Sequence, residues 1–153
     1  MSGANTPSAL SPIVGEIVMD VGIDRAWAVL TEPTYVVRWL GCMNYTGEVG
    51  SLFYMQQDGA KRAAGDISGA THCRILAKEN PSTFHFSWFV PGTPETEVEI
   101  RLSSLAPRQT KVTLTHSGWD RFSAADVRPF WDALSQGWAS YVLPGLKATA
   151  EAA

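Results

Sequence analysis

Apolar residues recur from residue 123 to the C-terminus at the three- and four-residue steps of an amphipathic helix. The stripe that they form consists of Phe130, Trp131, Leu134, Trp138, Tyr141 and Val142. Two prolines interrupt it, and a proline inside a helix loses a hydrogen bond and clashes with the preceding turn. We therefore expect Pro129 in the first turn of the main helix, after a separate short turn over 123–128, and a kink rather than an end at Pro144.

The middle of the chain alternates between apolar and polar positions, as antiparallel strands do. Predicted strands cover 44–49, 52–57, 66–79, 84–90, 97–103 and 111–116. Asp58-Gly59 is typical of a hairpin turn between two of them. Asp66 is expected to serve in a turn at the start of its strand.

A first strand over 13–20 precedes these, and two short helices follow it. Asp24 is the expected N-cap of the first helix, and Pro33 fits the first position of the second, which ends near Gly41. The order is therefore strand, two helices, about six strands and a long helix. This order predicts an α+β fold in which a curved antiparallel sheet surrounds the last helix and encloses a cavity. A single domain over 13–150 is expected to follow a mobile N-terminal arm over 1–12.

Composition narrows the classes of function. The 153 residues are 45% hydrophobic, which suits one domain with a sizeable core. The net charge is −3 and basic residues are scattered, so neither a nucleic-acid partner nor an anionic membrane is expected. The N-terminus lacks the pattern of a signal peptide, which predicts a cytoplasmic protein. Cys42 and Cys73 are expected to be buried, reduced thiols, with a disulfide or a reactive thiol as alternatives.

Several short segments, in this order and spacing, resemble the START-like, Bet v 1-like superfamily. They are residues 24–31 (DRAWAVLT), Trp39, Gly50, residues 86–88 (FSW), residues 114–119 (LTHSGW) and Gly137-Trp138. Within the superfamily the chain is most similar to the branch of the activator of the heat-shock-protein-90 ATPase. It departs from that pattern at Val49, where a glycine is frequent, and at Pro144.

The resemblance implies a helix-grip fold with an apolar cavity. Members bind lipids, hormones or other hydrophobic molecules, and a minority catalyse reactions, as aromatic polyketide cyclases do. The branch name also implies a possible chaperone partner. A homodimer is the default expectation for a soluble protein of this size.

The polar residues indicate no obvious catalytic centre. His72, His85 and His116 lack the spacing of metal ligands, and neither a nucleophilic triad nor paired carboxylates stand out, so no metal and no cofactor are expected. His116 shares the parity of the apolar positions of its strand and should face the interior. It is either a hydrogen-bonded structural histidine or a polar contact to ligand. If the protein is an enzyme, His116 is the candidate acid or base, with Tyr54 or Asp66.

Aromatic and apolar side chains are therefore the best candidates for ligand contact. The predicted cavity residues are Trp39, Met43, Tyr54, Phe86, Trp88, His116, Trp119, Phe130 and Trp131. On the last helix, Leu134, Trp138 and Tyr141 are expected to pack, and Gly137 is expected to let the helix backbone approach the sheet.

Three functions follow from these features and from the resemblance, which alone implies the second. The leading one is non-enzymatic binding of a small hydrophobic molecule in the cavity. The second is a co-chaperone-like module that binds a protein partner. The third is a cyclase- or hydrolase-like enzyme acting on a hydrophobic substrate.

Overall fold

The computed structural model describes residues 10–56, 58–125 and 127–152. They contain one antiparallel sheet of seven strands, in the order β1-β7-β6-β5-β4-β3-β2. The strands are β1 (Ile13–Met19), β2 (Cys42–Met43), β3 (Leu52–Met55), β4 (Thr71–Glu79), β5 (Thr83–Trp88), β6 (Thr96–Ala106) and β7 (Gln109–Ser117). Two short helices after β1 and a long C-terminal helical segment complete a helix-grip fold. The predicted fold class is confirmed.

The helices are α1 (Ile23–Thr31), α2 (Pro33–Trp39), α3 (Gly59–Ala64), α4 (Val127–Gly137) and α5 (Leu143–Glu151). Pro33 opens α2 as expected. The N-cap of α1 is Gly22 rather than Asp24, which lies inside the first turn, where its negative charge favours the helix dipole. Of the predicted mobile arm, residues 1–9 lie outside the described residues, and Leu10 packs against the core.

The predicted strand over 44–49 is wrong. Asn44, Gly47 and Gly50 all have positive φ, at 61°, 84° and 90°. Backbone in that region turns rather than extends, so the segment cannot pair as a regular strand. The chain loops instead between the two-residue strand β2 and β3, which are paired to each other.

The Asp58-Gly59 hairpin is also wrong, because this dipeptide begins helix α3. The Asp58 carboxylate accepts hydrogen bonds from the backbone N–H groups of Ala60 and Lys61, as an N-cap does. Gly65 ends the helix with φ of 75°. Strand β4 therefore starts at Thr71 rather than at residue 66.

The C-terminal helix runs through Pro144 without ending. A π-helical turn, Trp138–Val142, joins α4 to α5, and the Leu143 N–H donates to the carbonyl of Trp138 five residues earlier. The π turn changes which side chains are buried. Trp138 and Leu143 are both buried although they are five residues apart. In a regular α-helix that step would rotate Leu143 by about 140° away from Trp138. The wider turn keeps Trp138, Leu143 and Leu146 on one side.

The sheet grips α5 more closely than α4. Leu143, Leu146 and Ala150 of α5 are buried, whereas Val127 is the buried side chain among the described residues of α4. Gly15 of β1 allows the close approach, because a Cβ there would lie 2.8 Å from Leu143 Cδ1. The prediction that Tyr141 packs is wrong, since it is 74% exposed. The π turn carries Tyr141 out of the buried stripe.

Candidate functional site: a groove between helix α4 and the sheet

A groove separates α4 from β4, β5 and the residues after β5. Its first part is a cavity of about 420 Å³ lined by Thr71, Trp88, Val90, Pro129, Phe130, Ala133 and Leu134. Its second part is a cavity of about 280 Å³ lined by Leu40, Met55, Trp88, Ala133, Leu134, Gly137, Trp138, Tyr141 and Val142. The two cavities share the walls formed by Trp88, Ala133 and Leu134, so they adjoin each other along α4.

Small residues on α4 leave this space open. Ala133 and Gly137 are four residues apart and therefore lie on the same face of the helix. A Cβ placed on Gly137 would meet no atom within 4 Å. The expectation that Gly137 lets the backbone approach the sheet is wrong, because the helix and the sheet stand apart there.

The groove continues into a third cavity of about 260 Å³, which we call the polar end. It is lined by Trp39, Leu40, Gly41, Gln56, Arg62, Tyr141 and Val142. Leu40, Tyr141 and Val142 also line the second cavity, so the polar end extends the same groove. Trp39 is fixed there by an indole N–H that donates to the Val29 carbonyl at 2.8 Å.

Arg62 of α3 is held at the polar end by the backbone. Its Nη1 donates to the carbonyl of Gln56 at 2.8 Å. The Gln56 side chain is buried, and its amide donates to the carbonyls of Asp66 and Ser68 at 2.9 Å each. The loop and helix that carry the guanidinium are thus tied to the end of β3.

His116 lies behind the groove within a directional hydrogen-bond chain. The indole N–H of Trp138 donates to His116 Nδ1 at 3.1 Å, so Nδ1 is the unprotonated nitrogen. Nε2 then carries the proton and donates to the Thr96 hydroxyl at 2.7 Å. That hydroxyl donates in turn to the carbonyl of Trp88 at 2.9 Å. Each side-chain nitrogen and oxygen in this hydrogen-bond chain therefore has a partner.

This environment keeps His116 neutral. The ring is fully buried between the indoles of Trp88, Trp119 and Trp138, with ring centroids 4.7–6.0 Å apart. Desolvation lowers its pKa to about 3. His116 does not line the groove, and both of its nitrogens are engaged within the protein.

The three proposed acid–base residues are not brought together. Tyr54 lies on the face of the sheet opposite the core, with its ring 4.9 Å from that of His72. Asp66 accepts hydrogen bonds from the hydroxyl and the N–H of Ser68 in the turn before β4, which lowers its pKa. No described residues assemble the candidate catalytic set, and no cluster of metal ligands is found among them.

Of the other predicted ligand contacts, Trp88, Phe130 and Trp39 line the groove. Trp119 borders a space of about 10 Å³, which holds no more than one water. Phe86 is fully buried in the core against Phe53, with centroids 5.5 Å apart.

Two further candidates lie off the groove. Met43 is buried in β2 and does not line it. Trp131 points to the β1 side of the helix, where its indole donates to the Ser11 carbonyl at 2.8 Å. Sequence reasoning missed Ala133, Gly137 and Arg62. The four-residue step of two small residues within the aromatic stripe was the available signal for the first pair.

Both cysteines are free thiols in the interior. Burial raises the pKa of Cys42 to about 11 and that of Cys73 well above its usual value. The protonated form is favoured, so neither thiol is poised as a nucleophile. In the described part of the chain no helix has both the length and the apolar character needed to cross a membrane.

Comparison with known proteins gives one family match, described as Activator of Hsp90 ATPase homolog 1-like protein, over residues 20–151. No curated protein matches the sequence significantly.

Solved structures share the fold at low sequence identity. CalU16 from Micromonospora echinospora is 22% identical, with a TM-score of 0.68 over 92% of this chain and 76% of that one. The Aha1 dimer from Colwellia psychrerythraea is 19% identical, with a TM-score of 0.70 over 93% and 98%. PFC0360w, an HSP90 activator from Plasmodium falciparum, is 15% identical, with a TM-score of 0.65 over 89% and 94%.

Proposed function

Since the chain belongs to the family of Activator of Hsp90 ATPase homolog 1-like proteins, which has the helix-grip fold, we propose that it binds a small, mainly apolar molecule in the groove. The observation that carries the proposal is the open space between α4 and the sheet. Its larger cavity, of about 420 Å³, falls in the range of small-molecule sites.

The walls of the groove suit an apolar ligand. Trp88 and Phe130 supply aromatic surface, and Leu134 and Val90 supply aliphatic surface. Each square ångström of apolar surface that a ligand and these walls remove from water contributes about 25 cal/mol. The Trp88 indole packs against the rings of His116 and Trp138, with centroids 5.5 and 5.2 Å apart. This packing orders that wall before a ligand arrives, which reduces the entropy lost on binding.

The groove residues support binding rather than turnover. The neutral, fully bonded His116 lies outside the groove, and neither Tyr54 nor Asp66 lines it. The enzymatic alternative stays a prediction without an assigned acid or base.

An uncharged fluorescent probe, N-phenyl-1-naphthylamine, tests the proposal. We expect the protein to enhance its fluorescence and the variant Ala133→Phe, which places a ring inside the groove, to weaken binding about tenfold or more. Ala139→Phe is the matched control, because Ala139 is exposed on the same helical segment and lines none of the three cavities. Equal binding by both variants, or no binding by the unaltered protein, would contradict the proposal.

The co-chaperone alternative draws its support from the family match and from neighbours named for Hsp90 activation or as an Aha1 dimer. An Hsp90-type partner, a homodimer and a cytoplasmic location are consistent with that membership and stay proposals. The groove favours the small-molecule function over the co-chaperone function, because a small molecule can bind in the groove without a separate surface for a protein partner.

A further inference from the structure

Arg62 is the one cationic side chain among the described residues that line the three cavities. None of those residues carries a carboxylate. Arg62 also forms no ion pair with a carboxylate in the described part of the chain, although the protein as a whole is acidic. The polar end therefore presents an exposed guanidinium that has no carboxylate partner among the described residues, next to apolar walls.

The guanidinium has donors left for a ligand. Nη1 is engaged by the Gln56 carbonyl, which holds one side of the group. A guanidinium carries five N–H groups in a planar fork that matches a carboxylate. The anchored side orients the fork and leaves its remaining donors for a ligand at the polar end.

Tyr141 supplies a second polar group at the same place. Its side chain is 74% exposed and lines both the second cavity and the polar end. Phe130, at the opposite end of the groove, lies eleven residues earlier on the same helical segment, which corresponds to about 16 Å. The groove is therefore elongated, apolar at the Phe130 end and cationic at the Arg62 end.

We propose that the ligand is an elongated amphiphile with one carboxylate, whose head group pairs with Arg62 and Tyr141 while its apolar body lies along Leu134, Trp88 and Phe130. This inference rests on the proposed function and deepens it by defining the class and the orientation of the ligand. Charge complementarity selects the carboxylate, because an uncharged head group would leave the guanidinium without a counter-charge. The length of the groove selects an extended chain over a compact ring.

Competition between dodecanoate and dodecan-1-ol tests the inference. The two probes have the same apolar chain and differ in the charge of the head group, so each is titrated against protein-bound N-phenyl-1-naphthylamine. We expect dodecanoate to bind about fivefold more tightly than the alcohol. In Arg62→Gln the preference should disappear, because dodecanoate weakens while dodecan-1-ol is unchanged.

Two further variants separate charge from folding. Arg62→Lys retains the positive charge and should keep part of the preference even if α3 loosens. Arg108→Gln removes an exposed arginine at the β6–β7 turn, away from the groove, and should leave the preference intact. Circular dichroism of each variant reports whether the fold is retained.

The outcomes distinguish the inference from the function beneath it. Equal binding of acid and alcohol by the unaltered protein would overturn the carboxylate assignment and leave the apolar groove standing. A preference that persists in Arg62→Gln would overturn the role of Arg62. If neither dodecanoate nor dodecan-1-ol displaces the probe, the assignment of an elongated ligand is overturned. If the probe itself does not bind, the proposed function is overturned.

Discussion

His116 shows how one buried polar residue stabilises the wall of the groove. Its ring nitrogens join the Trp138 indole to the Thr96 hydroxyl, and that hydroxyl reaches the Trp88 carbonyl. A phenylalanine could fill the same volume, but it would leave the Trp138 indole N–H without an acceptor and the Thr96 hydroxyl without the hydrogen bond that it accepts. Each such loss costs about 1–3 kcal/mol. The histidine is therefore explained by the buried polar groups of Trp138 and Thr96 that it pairs, and by the packing of its ring against Trp88.

The same residue predicts how stability changes with pH. Its pKa is lowered to about 3 in the folded protein, whereas an unfolded histidine titrates near about 6.5. Between these values the unfolded chain binds more protons, so stability is full above about pH 6.5 and falls as the pH decreases. We expect urea unfolding to show a loss of about 2 kcal/mol between about pH 6.5 and pH 5.

Substitution assigns that slope to one residue. His116→Gln should remove most of the pH dependence in this window. His85→Gln is the comparison variant, since it also replaces a histidine by glutamine but lies half-buried on the outer face of the sheet beside Glu97, away from the buried tryptophans. A slope that survives in His116→Gln would show that other groups produce it.

At the scale of elements, the C-terminal helical segment has two halves with different roles. Helix α5 is embedded in the sheet through Leu143 and Leu146, whereas α4 stands off and forms one wall of the groove. The π turn between them tolerates Pro144, because the wider turn removes the need for a standard hydrogen bond at that point. Side chains of the segment also cover the free edge of β1, where Lys147 donates to the Val18 carbonyl at 2.8 Å.

Two glycines distinguish these halves in an unfolding experiment. Gly137→Ala should stabilise the protein by about 1 kcal/mol, because the site is helical and a Cβ there meets nothing. Gly15→Ala should destabilise it by about 1 kcal/mol, because the new methyl lies 2.8 Å from Leu143 Cδ1 and the buried Leu143 side chain must shift to make room. Urea denaturation of both variants measures the difference, and effects of the same sign would contradict the assigned roles.

At the scale of the whole molecule, one continuous core joins the sheet, the two short helices and α5. It extends from Trp27 and Trp39 at the α1–α2 corner to Trp119 and Trp138 near β7. The groove lies beside this core rather than within it, so the space for ligand is obtained without a void in the packed interior.

A continuous core predicts cooperative unfolding. We expect urea transitions followed by tryptophan fluorescence and by far-ultraviolet circular dichroism to coincide, since tryptophans at both ends of the core report the same event. Two separated transitions would show that the α1–α2 corner and the β7 end unfold independently, and would contradict the predicted single domain.

Sequence reasoning succeeded where a local pattern decides the structure. In β6 and β7 the alternation of apolar and polar residues correctly places Ile100, Leu102 and Leu114 inside, because the side-chain period of a strand is two. It failed at Asp58-Gly59, since the same two residues suit a hairpin and a helix start. The Asp58 cap, the alanines after it and Gly65 were the available signals for α3.

The sequence by itself determined the first strand with the two short helices after it, the inward faces of the long strands and an amphipathic helix that a sheet must cover, because these depend on periodicities along one chain. Only the tertiary structure decided that the helix widens at Trp138, that Tyr141 leaves the buried stripe and that Ala133 and Gly137 leave a groove open. A groove forms where small side chains leave space between segments that are distant in the sequence, and the sequence pattern does not show which segments face each other. Its polar end likewise depends on Arg62, which the fold of α3 places next to Tyr141.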